Sequence, residues 1–152
     1  MGPSGARHAA GRASYRVVAA VLLAVSGLAA CSSGQTAAKH ASVVRVTERD
    51  FRIAASPARV PSGLVLLTVE NRGPVSHELI VVRTDRPTLP RRADGVTIDE
   101  DALEKATAGA LEPGAPGITR ELVLHLKPGR YELFCNMSGH YFGGMHTDLV
   151  VT

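Results

Sequence analysis

Cys135, His140 and Met145 lie in the run Cys135-Asn-Met-Ser-Gly-His140-Tyr-Phe-Gly-Gly-Met145, four residues between each, near the end of a 152-residue chain. A lone thiol, an imidazole and a thioether are the ligands suited to an ion alternating between Cu(I) and Cu(II). Soft sulfur favours the reduced ion, imidazole accepts both, and a weak axial thioether leaves the geometry a compromise. Such a site needs one more imidazole. His77 is the candidate: Asn71-Arg-Gly-Pro-Val-Ser-His77 closes one strand-like run, turns on Gly73-Pro74 and opens the next. His146 competes with Met145 for the axial place, but strand alternation turns it outward if Met145 points in. His125 alternates with Leu122, Leu124 and Leu126 and reads as a solvent-side strand residue.

The elements that must position these side chains are short β-rich runs between turn signals, at 43–47, 51–53, 64–69, 78–82, 121–126, 130–134 and 147–151. Short strands at such spacing argue an all-β sandwich. Residues 84–117 break the rhythm, with Pro and Gly at both ends and one short helix expected over 99–106, acidic in its first turn. The stretch reads as one long crossover whose helix covers a sheet edge.

The first thirty residues hold Arg7, Arg12 and Arg16, no acid, and then an apolar run too short for a comfortable membrane span. They read as a signal segment. Leu28-Ala29-Ala30-Cys31 resembles a bacterial lipobox, which implies cleavage before Cys31 and acylation of its thiol. The expected organisation is a signal at 1–30, lipidated Cys31 with a flexible Ser/Gly-rich tether over 31–42, and one domain over 43–152. That places the protein in the cell envelope, outside the cytoplasm and anchored by lipid. The whole chain carries a net charge of +3, but from Cys31 onward 14 basic residues face 14 acidic ones. No basic stripe remains, so nucleic-acid binding is not expected. Acylation of Cys31 leaves Cys135 without a disulfide partner, a liability in an oxidising compartment unless a metal occupies the thiol. Nothing calls for more than a monomer.

With its Cys-x4-His-x4-Met loop between two C-terminal strands and His77 upstream, the region from about residue 43 to 152 resembles the cupredoxins, the blue-copper proteins. The equal spacers look most like those of rusticyanin, auracyanin and sulfocyanin. Plastocyanin has a shorter Cys-to-His spacer and azurin a shorter His-to-Met spacer. The resemblance implies a Greek-key sandwich that holds one type 1 copper ion nearly fixed. Cys135, His77 and His140 would form the trigonal plane and Met145 the long axial bond. It also implies that His140 meets redox partners through an apolar patch, which Met137, Tyr141 and Phe142 would furnish. Glu78 departs from the small hydrogen-bonding residue that azurin-like proteins often carry after the His. It could accept from backbone N–H groups near Asn136 or stand in solvent.

The resulting expectation is a membrane-anchored carrier of single electrons, not an enzyme, because the ligand set is closed to substrate. A copper chaperone or scavenger delivering the ion to an oxidase is the alternative, disfavoured by the scarcity of exposed Met and His. A metal-free accessory lipoprotein would leave the Cys/His/Met spacing unexplained.

Overall fold

The computed structural model describes residues 41–152; the expected signal, Cys31 and the tether as far as residue 40 lie outside the described residues. Nine strands follow in order: β1 (Ser42–Arg49), β2 (Arg52–Ser56), β3 (Arg59–Val60), β4 (Gly63–Asn71), β5 (His77–Arg83), β6 (Thr107–Gly114), β7 (Thr119–Leu126), β8 (Gly129–Phe134) and β9 (His146–Val151). They form a Greek-key sandwich of two mixed sheets, one ordered β2-β1-β4-β7 and the other β3-β9-β8-β5-β6. Ser42 already belongs to β1, where it pairs with Val65.

Alternation builds the core between the sheets. Val44 and Val46 of β1, Val65, Leu67 and Val69 of β4, and Leu124 and Leu126 of β7 face Leu79, Val81, Leu133 and Leu149 from the second sheet. Each buried aliphatic side chain of this kind contributes roughly 1.5–3 kcal/mol through water-excluded area. The run Leu79-Ile80-Val81-Val82 does not alternate, and β5 is buried on both faces. Ile80 and Val82 turn outward, where Phe134, Leu89, Ile98, Leu103 and Tyr141 cover them. A continuous apolar run is the signature of a strand covered on both sides. Both clusters are built from side chains of both sheets and the crossover within the described residues.

The 84–117 stretch differs from expectation in two ways. It is not a single crossover: Thr107–Gly114 forms β6, an edge strand paired antiparallel with β5. Its sequence, Thr-Ala-Gly-Ala-Leu-Glu-Pro-Gly, has little intrinsic strand preference, and Pro113 is tolerable because an edge leaves N–H positions unpaired. The helix is a 3-10 segment at Asp101–Ala106. Its Leu103 packs over the outer face of the β5-β8 sheet, so the crossover covers a face while β6 forms the edge.

Candidate metal centre

His77 opens β5 and is fully buried. The loop before it is fixed by Asn71, whose Nδ2 donates to the carbonyls of Val75 and Gly114 at 2.8 Å each and whose Oδ1 accepts from the Gly73 N–H at 2.8 Å. Gly73 must be glycine, since a Cβ there would stand 2.6 Å from His77 Nε2. Cys135 follows β8, and the 135–145 loop closes on its own backbone. His140 N–H donates to Met137 O (2.8 Å), Met145 N–H to His140 O (3.0 Å) and Cys135 N–H to Met145 O (3.1 Å). The last of these bonds puts the fully buried Met145 beside Cys135 at the entrance to β9. His146 is exposed, as strand alternation requires, and so is His125.

One ligand atom each from His77, Cys135 and His140 lie within 4.8 Å of one another. Cys135 Sγ is 3.5 Å from His140 Nδ1, and the two imidazole centroids are 5.2 Å apart. His77 Nε2 pairs with Asp50 Oδ1 at 3.1 Å, while its Nδ1 is buried with no hydrogen-bond partner. An orphaned buried ring nitrogen is costly unless something occupies it. A nitrogen facing a metal, with its ring partner held by a carboxylate, is the usual arrangement of a ligating His. Two imidazoles and a thiol form a group capable of holding one ion, and with the neighbouring thioether of Met145 they suit copper by softness and number.

Burial, with His140 alongside, pushes His77 below its ordinary range against the pull of Asp50, so the ring is neutral and Nδ1 keeps its lone pair at neutral pH. Burial pushes the Cys135 thiol up, against backbone N–H groups of Met137 and Glu78 that favour the thiolate and with the charges of Glu78 and Glu48 opposing it. Glu78 takes the first of its two expected roles: its Oε1 accepts from Asn136 N–H at 2.9 Å, joining the two ligand loops. Burial and the nearby Glu100 raise its carboxyl. Asn136 also donates from Nδ2 to Glu100 Oε1 and Ile98 O and accepts from Ile98 N–H, which clamps the Cys loop to the crossover.

Three groups around the site were not legible in the sequence. Asp50 and Phe51 form the β1-β2 turn and reach the site because β1 runs parallel to β4, with Glu48 opposite Asn71. Phe51 has φ 57°, unusual for a residue with a bulky side chain, and its ring meets His140 edge-on at 5.5 Å. A Cβ on Gly143 would collide with that ring. Glu48 is fully buried against Arg120 at 2.7 Å, and burial raises its carboxyl to about 7. Only the Asp50 turn position carried a hint, since a charged residue between two strand-like runs must end in solvent or at a partner.

The rim of the site differs from expectation at Tyr141. That ring is buried under the crossover, its hydroxyl donating to Glu132 Oε1 at 2.8 Å, and burial with this bond raises it to about 12. Packing against Phe134 draws it inward. Phe142 is exposed under the Arg91 guanidinium, Met137 is half-buried, and Phe51 and Val75 are exposed.

No family model matches the chain, and no curated protein matches it. Solved structures do. The chain is similar to dithionite-reduced auracyanin from Roseiflexus castenholzii (18% identity, TM-score 0.54, covering 74% of this chain and 99% of that one). It is also similar to auracyanin A, described as a blue copper protein, from Chloroflexus aurantiacus (16%, 0.56, 74% and 100%). Rusticyanin from Thiobacillus ferrooxidans is a third (16%, 0.53, 74% and 79%). The fold is therefore the cupredoxin fold, with a His-Cys-His group where two of its loops meet.

Proposed function

We propose that the chain carries single electrons through one type 1 copper ion, which His77, Cys135 and His140 would hold with Met145 as a further, weaker donor. The observation that carries this reading is that His77, whose buried Nδ1 has no partner, converges with a buried thiol and a second imidazole, one ligand atom of each within 4.8 Å. Copper in such a set would supply a one-electron couple between Cu(I) and Cu(II). The protein's part is to hold the donors still. Asn71 and Gly73 fix the His77 loop, Asp50 orients its ring, and the 135–145 loop is locked by its own backbone bonds. Cys135 releases its proton to become a ligand, and the backbone N–H groups beside it favour the thiolate. Burial of His77, Cys135 and Met145 keeps water from those three donors.

His140 is half-buried, and exposed Phe51, Val75 and Phe142 lie on the loops at this end. This apolar rim is the surface through which redox proteins exchange the electron, and a closed ligand set makes the protein a carrier rather than an enzyme. Its copper-binding neighbours support the reading by fold. The basic and apolar N-terminal pattern with Cys31 supports placement outside the cytoplasm on a lipid anchor, as a monomer. Among the described residues no helix is long and apolar enough to cross a membrane.

The test is reconstitution with Cu(II) followed by cyclic voltammetry. One copper per chain and a reversible one-electron wave are expected. Rapid surrender of the ion to a weak chelator without a reversible wave favours copper handling instead. For the anchor, Cys31→Ala moves the full-length chain from the high-salt-washed membrane fraction to the soluble one; membrane retention of Cys31→Ala after that wash contradicts lipidation.

A further inference from the structure

The end of the sandwich away from the metal centre carries two features that electron transfer does not use. β5 leaves the site at His77 and reaches the opposite end at Arg83, about 20 Å away at strand rise. There an open groove of about 850 Å³ is lined by Arg83, Arg86, Lys105 and Lys127, with Asp85 as its sole acid. None of these four cations forms an ion pair among the described residues. An apolar row adjoins the groove on the outer face of the β2-β1-β4-β7 sheet. Val43 lies opposite Leu66 and Leu66 opposite Val123, with Leu64 beside them opposite His125. Val43, Leu64 and Val123 are exposed. Strand β7 joins the two features, since Val123, His125 and Lys127 follow at every second position and His125 and Lys127 line the groove.

The chain itself enters at this end. Ser42 pairs with Val65, which pairs with Leu124, three residues before Lys127. Nine residues lie between Cys31 and Ala41, and the ten steps from one to the other span at most about 35 Å when fully extended. A lipid on Cys31 would thus keep these cations within tether reach of a bilayer, whose surface charge acts over a Debye length of about 8–10 Å once they approach it.

We propose that this end is a docking face for the anionic headgroups of the membrane that bears the anchor, with Lys127, Lys105 and Arg86 attracting phosphates and Val43, Leu64 and Val123 meeting the interface. The inference rests on the lipid-anchor reading above. It sets the metal end outward, so that the rim around His140 faces soluble partners rather than lipid. Cations rimming an apolar patch are what an interfacial surface requires. An acidic protein partner fits less well, because the groove centre is charged where protein interfaces are depleted of charge.

The experiment uses the chain from Ser32, which lacks the lipid and contains both apolar clusters, titrated with vesicles of phosphatidylglycerol and phosphatidylcholine at millimolar lipid. Sedimentation with the vesicles is expected, lost in high salt and with phosphatidylcholine alone. Each cation contributes about fivefold to binding an acidic leaflet, so Arg86→Gln/Lys105→Gln/Lys127→Gln binds about a hundredfold more weakly. Val123→Ser weakens binding less, and Arg52→Gln at the metal end leaves it unchanged. Retained copper colour in each variant shows that it has folded. Equal sedimentation of the triple variant and wild type, or none of the wild type with phosphatidylglycerol, overturns the docking face. Self-association through Val123 in the absence of lipid overturns it in favour of a second copy. Because this chain lacks Cys31, failure here leaves the anchor reading to its own fractionation test.

Discussion

The Asp50 carboxylate stands 3.1 Å from His77 Nε2, which leaves the buried Nδ1 of the same ring unpartnered in a group whose other members are Cys135 and His140. One carboxylate thus fixes both the tautomer and the aim of the buried imidazole. Removing such a partner typically lowers metal affinity about 10- to 100-fold. Asp50→Ala is expected to fall in that range by competition titration against a chelator. Asp50→Asn keeps an acceptor but not the charge, so it is expected to lose less affinity and to raise the reduction potential. Unchanged affinity in Asp50→Ala contradicts an orienting role.

Copper binding must displace the Cys135 proton, because burial holds the thiol above its ordinary range and only the thiolate ligates. Apparent affinity is therefore expected to weaken about tenfold for each unit of pH lowered through the neutral range. Proton release on mixing, followed with an indicator dye, reports the same event. A pH-independent affinity shows that the thiol is not a ligand.

Glu48 predicts an inverse pH dependence of stability in the metal-free protein. Its folded value of about 7 lies above the ordinary 4.5, so the folded state holds the proton more tightly than the unfolded state does. That contribution is complete below about pH 4.5 and is lost as pH rises through about 7. Glu48→Gln removes the titration, at the cost of the charge facing Arg120. The stability of wild type relative to Glu48→Gln should thus decline between pH 5 and 8 by up to about 3 kcal/mol. Urea unfolding of both proteins across that window measures it, and a constant difference contradicts the assignment.

Met145 is buried in the inter-sheet core as well as placed beside Cys135. Met145→Leu nearly conserves volume and should cost under about 1.5 kcal/mol in stability. With the axial donor gone, the copper-thiolate colour is expected to persist and the potential to rise. Loss of all copper binding in this variant contradicts an axial role.

The ligand loop was legible in sequence because chemistry and spacing coincide there: Cys135, His140 and Met145 are local to one another, and Gly139 and Gly144 mark its turns. Strands β1, β2, β4, β5, β7, β8 and β9 were legible for the same reason, since alternation such as Leu122, Leu124 and Leu126, or an apolar run such as Leu79 to Val82, is a short-range signal. Strand β6 was not, because its Ala and Gly residues gain strand geometry only from pairing with β5. Asp50 and Phe51 lie more than twenty residues from His77 and more than eighty from His140, and a parallel β1-β4 register brings them to the site. Tyr141 misled for a related reason. An aromatic beside a ligand on a loop reads as surface, but the buried Glu132 carboxylate and the Phe134 ring beneath the crossover draw it inward.

The most direct test of the central claim compares paramagnetic resonance and visible absorption of the Cu(II)-loaded protein with those of Cys135→Ser. Wild type is expected to show an intense thiolate-to-copper band and a small copper hyperfine splitting, both absent from a Cys135→Ser domain that still folds. A pale wild-type spectrum with ordinary hyperfine splitting, or an intense band that survives in Cys135→Ser, contradicts it.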